Sequence, residues 1–209
     1  QIEQISKPHR VLKPVRFKTS IFAKINTLMK KLITFSLAIF SFTFFIFAAT
    51  EWKINFEKAT IKFTMPAEEV NGTLTGLKAE FIFDENDLAN SKLTASVEVN
   101  TLNTGDNKRD EHLKTADFFE TEKFPNMTFT SSEIKKTEKG FTVVGNLKMK
   151  ITEKQIEIPF TLENQDSVMI FKSNFDIYPS DFGVTNKPKD EKEREVEKVV
   201  VNIQVPITK

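Results

Sequence analysis

From Glu51 onward, apolar residues fall at every second position almost throughout, the pattern of half-buried antiparallel strands. Trp52, Ile54 and Phe56 alternate with charged and polar neighbours. Ile61, Phe63 and Met65 repeat the pattern until Pro66 stops it, and Asn71-Gly72-Thr73 marks a turn. Leu77, Ala79, Phe81 and Phe83 alternate next, and Asp84-Glu85-Asn86-Asp87 ends that strand. Leu93, Ala95, Val97 and Val99 follow. Beyond a central interruption, Phe141, Val143, Gly145, Leu147, Met149 and Ile151 form one long alternation, with Gly145 marking a bend or room for a bulky neighbour. Ile156 to Leu162, Met169 to Ile177 and Val199 to Ile207 complete the series. About eight strands joined by short turns, without βαβ alternation, predict an all-β domain closed into an antiparallel barrel, with a sandwich as the alternative.

The interruption is Asn103 to Phe129. It opens with turn residues around Gly105, and the spacing then predicts one short helix over roughly Lys108 to Phe118, with Leu113, Ala116 and Phe119 on one face. Pro125 biases Phe124 to an extended backbone, and a strand resumes at Met127-Thr128-Phe129. The charge run Lys187 to Glu195 is expected as a solvated loop or short exposed helix before the last strand.

The first fifty residues have another character. Residues 1–28 are basic, with little apolar periodicity, and are expected to be an upstream non-native or disordered segment. Met29-Lys30-Lys31 and the apolar run that follows have the layout of a secretory signal. Residues 29–50 are therefore expected to be a signal peptide, with an uncleaved inner-membrane anchor as the alternative, because the run of about 18 residues is at the short end for a bilayer span. The domain proper is 51–209, and its expected location is the periplasm.

Composition removes several classes. Thirty basic residues against 29 acidic give a net charge of +1, so nothing points to nucleic acid. With no Cys, a disulfide framework and a lipid-modified Cys anchor are excluded. Two His and no Cys suggest no zinc site, and no cofactor or metal is expected. No nucleophile elbow, phosphate loop or dinucleotide fingerprint is present. His112 could act as a general base or donate to a ligand headgroup; the plainer reading is a structural His anchoring the short helix. Arg109 could grip a phosphate bidentately, or pair with Asp110 to hold the segment. The inward positions are aliphatic, Phe and Met. Composition alone does not decide between a packed core and a cavity, and bare periodicity favours the core.

Arg109-Asp110-Glu111-His112-Leu113, Asp117-Phe118-Phe119, Phe124-Pro125 and Thr128-Phe129 together resemble the signature of the YceI-like family, bacterial and mostly periplasmic lipocalin-like proteins that bind polyisoprenoids. The resemblance runs from about Trp52 to Lys209. Two departures stand out: Ile151-Thr152-Glu153-Lys154 replaces a Gly-containing turn, and Pro179 stands where an Arg often precedes the Ser180-Asp181-Phe182-Gly183 segment. The resemblance implies a lipocalin-like barrel with a lipid cavity. The ligand would be a quinone or prenyl phosphate type of polyisoprenoid, or another long-chain amphiphile. It would be held for transport or storage, with stress responses among the settings. The implied lining is Phe81, Phe83, Val97, Val99, Leu113, Phe118, Phe119, Met127, Phe129, Val143, Leu147, Met149, Phe160 and Phe175. Arg109 and His112 are the headgroup candidates. No catalysis is expected; the partners are the lipid and, transiently, a membrane, and oligomeric state is open, a dimer included. A filled-core interaction domain is the alternative, followed by an enzyme using His112 and Asp110.

Overall fold

The structure is a computed structural model that describes residues 51–166 and 168–209. The expectations for residues 1–50 lie outside the described residues. Ten strands form the ladder: β1 (Glu51–Ile54), β2 (Thr60–Met65), β3 (Val70–Leu74), β4 (Lys78–Ile82), β5 (Lys92–Glu98), β6 (Asn126–Thr137), β7 (Gly140–Met149), β8 (Thr152–Gln165), β9 (Val168–Ile177) and β10 (Val199–Thr208). Two short helices interrupt them, α1 (Asn107–Lys114) and α2 (Glu191–Val196). Every pairing is antiparallel. Eight strands close a ring in the order β1-β4-β5-β6-β7-β8-β9-β10, and β10 returns to β1. The expected barrel is therefore present, and among the described residues its ladder runs from β1 to β10 around one core.

Strand β10 holds the seam. One edge pairs with β9 along nearly its whole length, from Val199↔Ile177 to Ile207↔Met169. The other edge is shared: Ile207 and Thr208 meet β1, and Val200 to Gln204 meet β2. The first strand breaks between these partners at the 3-10 turn Phe56–Lys58. Pro206 lies opposite the break. It has no N–H for the ladder, and its carbonyl accepts from Asn55 N at 2.9 Å. The β2–β3 hairpin lies beyond the seam and is tied back by a bridge between Thr73 and Asn103.

The two barrel ends differ. One carries the β4–β5 loop and the tight β6–β7 and β8–β9 turns. Here inward rings pack into a plug: Phe141–Phe160 at 5.4 Å, Phe160–Phe171 at 4.9 Å and Phe81–Phe83 at 5.3 Å between centroids are stacked, and Phe83–Phe141 at 4.9 Å is edge-to-face. Pairs of this geometry contribute about 0.5–1.5 kcal/mol each beyond area burial. Trp52 joins the plug, donating Nε1–H to the Phe83 carbonyl at 3.0 Å. Ser173 is the polar inward exception and donates its hydroxyl to the Pro159 carbonyl at 2.6 Å. The other end carries the long β5–β6 connection with α1, the β7–β8 turn, the β9–β10 connection with α2, and the β2–β3 loop.

Several local expectations change. The helix over Lys108 to Phe118 stops at Lys114, because Thr115 caps it by bonding the His112 carbonyl through N–H at 3.1 Å and Oγ1 at 2.8 Å. Ala116 consequently leaves the apolar face and is exposed. Val99 does not extend β5; it opens a 3-10 turn, Val99–Thr101. Ile151 does not extend β7: the strand ends at Met149, Lys150 turns with φ 51°, and Ile151 stands in water. The charged run, expected as a solvated loop or short exposed helix, takes the helical form as α2, with the Asp190 side chain accepting from Glu193 N.

Gly145 fulfils both expectations for it. The register shifts across Ser131/Glu133, a bulge, and the Phe129 ring occupies the space above the glycine. A Cβ there would sit 2.5 Å from Phe129 Cζ and 2.5 Å from the Thr130 carbonyl oxygen. Gly145→Ala is expected to cost about 1–3 kcal/mol in denaturant unfolding by forcing ring and backbone apart. Unchanged stability would contradict this packing.

Candidate ligand-binding site

Between the plug and the α1-bearing end, the inward side chains leave a cavity of about 180 Å³. All ten strands contribute to its wall, and Thr128 is the one lining residue that is not apolar. Phe81 and Phe171, members of the plug, close its floor. Met127, Met149, Val97 and Ile177 line it toward the far end, where their strands run into the helical connections. No titratable group lines it. The wall can desolvate a hydrocarbon and exchange no proton with it. The volume slightly exceeds the roughly 150 Å³ of an engineered apolar cavity that stays dry and admits benzene, so about one isoprene unit fits without rearrangement.

The expected lining residues divide by depth. Phe81, Val97, Met127, Phe129, Leu147, Met149 and Phe175 line the cavity. Phe83, Phe160 and Val143 belong to the packed core instead, Val143 with no exposure at all. Phe118 and Phe119 pack against that core from the central connection without reaching the cavity wall. Leu113 is half-buried on α1, and Val99 is buried in its turn away from the wall. The last strand supplies wall positions that were not assigned from sequence, Val201, Ile203, Val205 and Ile207. Their unbroken alternation was the available signal; what was missing was the seam that places β10 beside both ends of the first strand.

The central motif anchors the chain. Asp110 is buried, and its Oδ1 accepts from Thr104 N at 2.9 Å and Thr104 Oγ1 at 2.6 Å. Arg109 Nε donates to the same hydroxyl at 2.9 Å. Asp106 caps α1 by accepting from Lys108 N and Arg109 N. His112 is largely exposed, 3.8 Å from Asp117 Oδ2, with its ring edge-to-face on Phe118 at 4.9 Å. Neither Arg109 nor His112 lines the cavity.

A second polar cluster pins the β9–β10 connection across the same end. Asp181 receives Arg194 Nη2 at 3.0 Å and Lys154 Nζ at 3.1 Å. The Arg194 hydrogen bond, with Lys154 adding to it against partial burial, holds the Asp181 carboxyl below the usual Asp range. The guanidinium also lies 4.0 Å over the Tyr178 ring. Glu197 accepts from Ser180 N, Ser180 Oγ and Thr185 Oγ1. Among the described residues, every buried side-chain polar atom has a partner.

The YceI-like domain family matches residues 52–208. A UPF0312 protein of Yersinia enterocolitica is 33% identical over 120 residues, covering 54% of this chain and 62% of that protein, so less than two thirds of its length is matched. Protein YceI of Salmonella newport is 31% identical over 141 residues, 65% of this chain and 74% of the relative. Among solved structures, Burkholderia cenocepacia BcnA superposes with a TM-score of 0.66 at 19% identity, covering 75% of this chain and all (100%) of that one. A Saccharophagus degradans domain, described as polyisoprenoid binding and implicated in plant cell wall breakdown, superposes at 0.53 with 12% identity over 75% of this chain and 97% of its own.

Two outcomes follow from the polar anchors. Asp110→Ala strands the Thr104 N–H and is expected to lower unfolding free energy by about 1–3 kcal/mol. Because the folded-state pKa of Asp181 is depressed, its pairing stabilises the protein above the ordinary Asp range of about 4 and is lost as pH falls through the lower folded value. An acid titration of stability should therefore be shallower in Asp181→Asn than in the parent below about pH 4, and parallel curves would contradict the pairing.

Proposed function

The chain belongs to the YceI-like family, and on that premise we propose that it is a binding protein for a polyisoprenoid or similar long-chain amphiphile, acting in transport or storage. The hydrocarbon lies in the barrel with its tail toward the Phe plug, and the headgroup stays at the α1-bearing end. No bond is made or broken. Residues 29–50 direct export, and the protein works in the periplasm with transient membrane contact to load and unload.

The observation that carries this reading is the cavity lining within a closed barrel, apolar at every position but Thr128. Each methylene transferred from water into such a wall contributes about 0.8 kcal/mol before ordering costs. Hydrocarbon length therefore supplies affinity without any charged contact. The polyisoprenoid binding described for the Saccharophagus degradans neighbour supports the same ligand class. A chain longer than the cavity needs side chains at its open end to move, and Met127 and Met149 are unbranched and easily re-rotated. The headgroup has no cation waiting inside. Arg109 bonds Thr104 through Nε and lies outside the cavity lining, so a quinone head suits this end at least as well as a phosphate.

A filled-core interaction domain is the competing reading, and the stacked rings favour it for the plug half of the barrel. Native mass spectrometry of the exported protein, purified without detergent and followed by organic extraction, separates the two. The carrier reading predicts a discrete added mass that extracts as a prenyl lipid. An empty protein that gains no thermal stability from added prenyl lipids or quinones contradicts it. Ala95→Phe, which fills the cavity from its wall, should keep the fold and weaken prenyl-probe binding by about tenfold or more.

A further inference from the structure

The β7–β8 turn is built from a pair unusual for a tight turn, and one of the two suits water poorly. A two-residue hairpin favours Asn-Gly and similar pairs, because its central residues take φ > 0. Here the pair is Lys150-Ile151, closed by the Met149↔Thr152 register, and Lys150 takes φ 51°. Ile151 is 79% exposed, against 45% for Phe56 and 47% for Val196. Nothing in the fold requires an apolar β-branched residue at this tip.

Position and charge say what it meets. The turn projects from the barrel end opposite the Phe plug, and Met149, the residue before it, lines the cavity. Lys148 and Lys154 flank the tip on the two strands and Lys150 lies in it, with Glu153, opposite Lys148 in the register, the one acid between residues 148 and 154. Lys154 is committed to Asp181 at 3.1 Å, and Glu153 accepts from Asn146 at 2.8 Å. Among the described residues, Lys148 and Lys150 have no ion-pair partner. An apolar point flanked by free ammonium groups matches a bilayer surface, with acyl chains for the isoleucine and anionic headgroups for the lysines.

We propose that the β7–β8 turn is a membrane-contact tip that docks the cavity end of the barrel on a bilayer containing anionic lipid. Its purpose rests on the lipid-binding reading above, since a water-insoluble chain leaves a bilayer only into a protein that touches it. Residues 51–209 hold the closed eight-stranded ring and the core packed inside it, so they are tested without the apolar run at 32–49, which would bind bilayers by itself.

The test is co-sedimentation with mixed phosphatidylcholine–phosphatidylglycerol vesicles, beside uptake of a fluorescent prenyl probe offered from the vesicles or from detergent. Ile151→Asp and Ile151→Ser, changed at an exposed turn, are checked for native circular dichroism. The expected result is several-fold weaker sedimentation and slower uptake from vesicles for both, with uptake from detergent unchanged. Lys148→Gln with Lys150→Gln should remove the preference for phosphatidylglycerol and the salt sensitivity. Vesicle binding by the Ile151 variants equal to that of the parent overturns the proposal. Failure of the parent to take up probe from either source overturns the lipid-binding reading instead, while sedimentation still decides the tip.

Discussion

Closure of the ladder along both edges of β10 is the constraint on which the rest depends. Nine residue pairs join β10 to β9, but only two join it to β1. The five pairs to β2 complete the seam, and Pro206 marks the place where the first strand changes partner. Once the ring is closed, no free ladder edge remains within it, and its inward face is shut off from water. Side chains on that face then fill the interior or leave space. This sequence does both, one at each end.

The division follows from side-chain size and register. Phe83, Phe141 and Phe160 are brought together where the tight turns lie, and their edge-to-face and stacked packing consumes the interior there. Ala79, Ala95 and Val97 lie on strands that run toward the other end, and the space they leave is the cavity. Gly145 belongs to the same logic: its missing side chain lets Phe129 lie against the wall. The polar clusters are kept out of the interior. Asp110 holds the central connection through Thr104, and Asp181 with Glu197 holds the β9–β10 connection. Their charges stabilise the segments around the α1-bearing end without lining the cavity.

Much of the fold was legible in the sequence, because a period of two states which face a residue occupies. Depth along the barrel was not legible. Phe81 and Phe83 alternate identically, yet one floors the cavity and the other sits in the plug, a difference set by register with strands far away in sequence. Helix length was overestimated because the apolar spacing of Leu113, Ala116 and Phe119 outlasts the helix, whereas Thr115 ends it with its own hydrogen bonds. Ile151 continued the alternation on paper, but a turn needs two residues and took Lys150 and Ile151. The Arg109-Asp110 pair left two roles open, and the bonds of both residues to Thr104 point to the structural one. The prominence of that motif reflects the difficulty of holding a long connection over a barrel end, which needs local polar anchors rather than apolar spacing.

The central claim is that a hydrocarbon chain lies along the barrel axis with its tail against the Phe plug. Trp52, the one tryptophan of the chain, stands in that plug and gives the claim a fixed reporter. Its fluorescence should be measured while prenyl or alkyl probes brominated either at the chain terminus or beside the headgroup are bound. The account predicts strong quenching by the terminal bromine and weak quenching by the other. Equal quenching, the reverse order, or saturable binding with no quenching would contradict it.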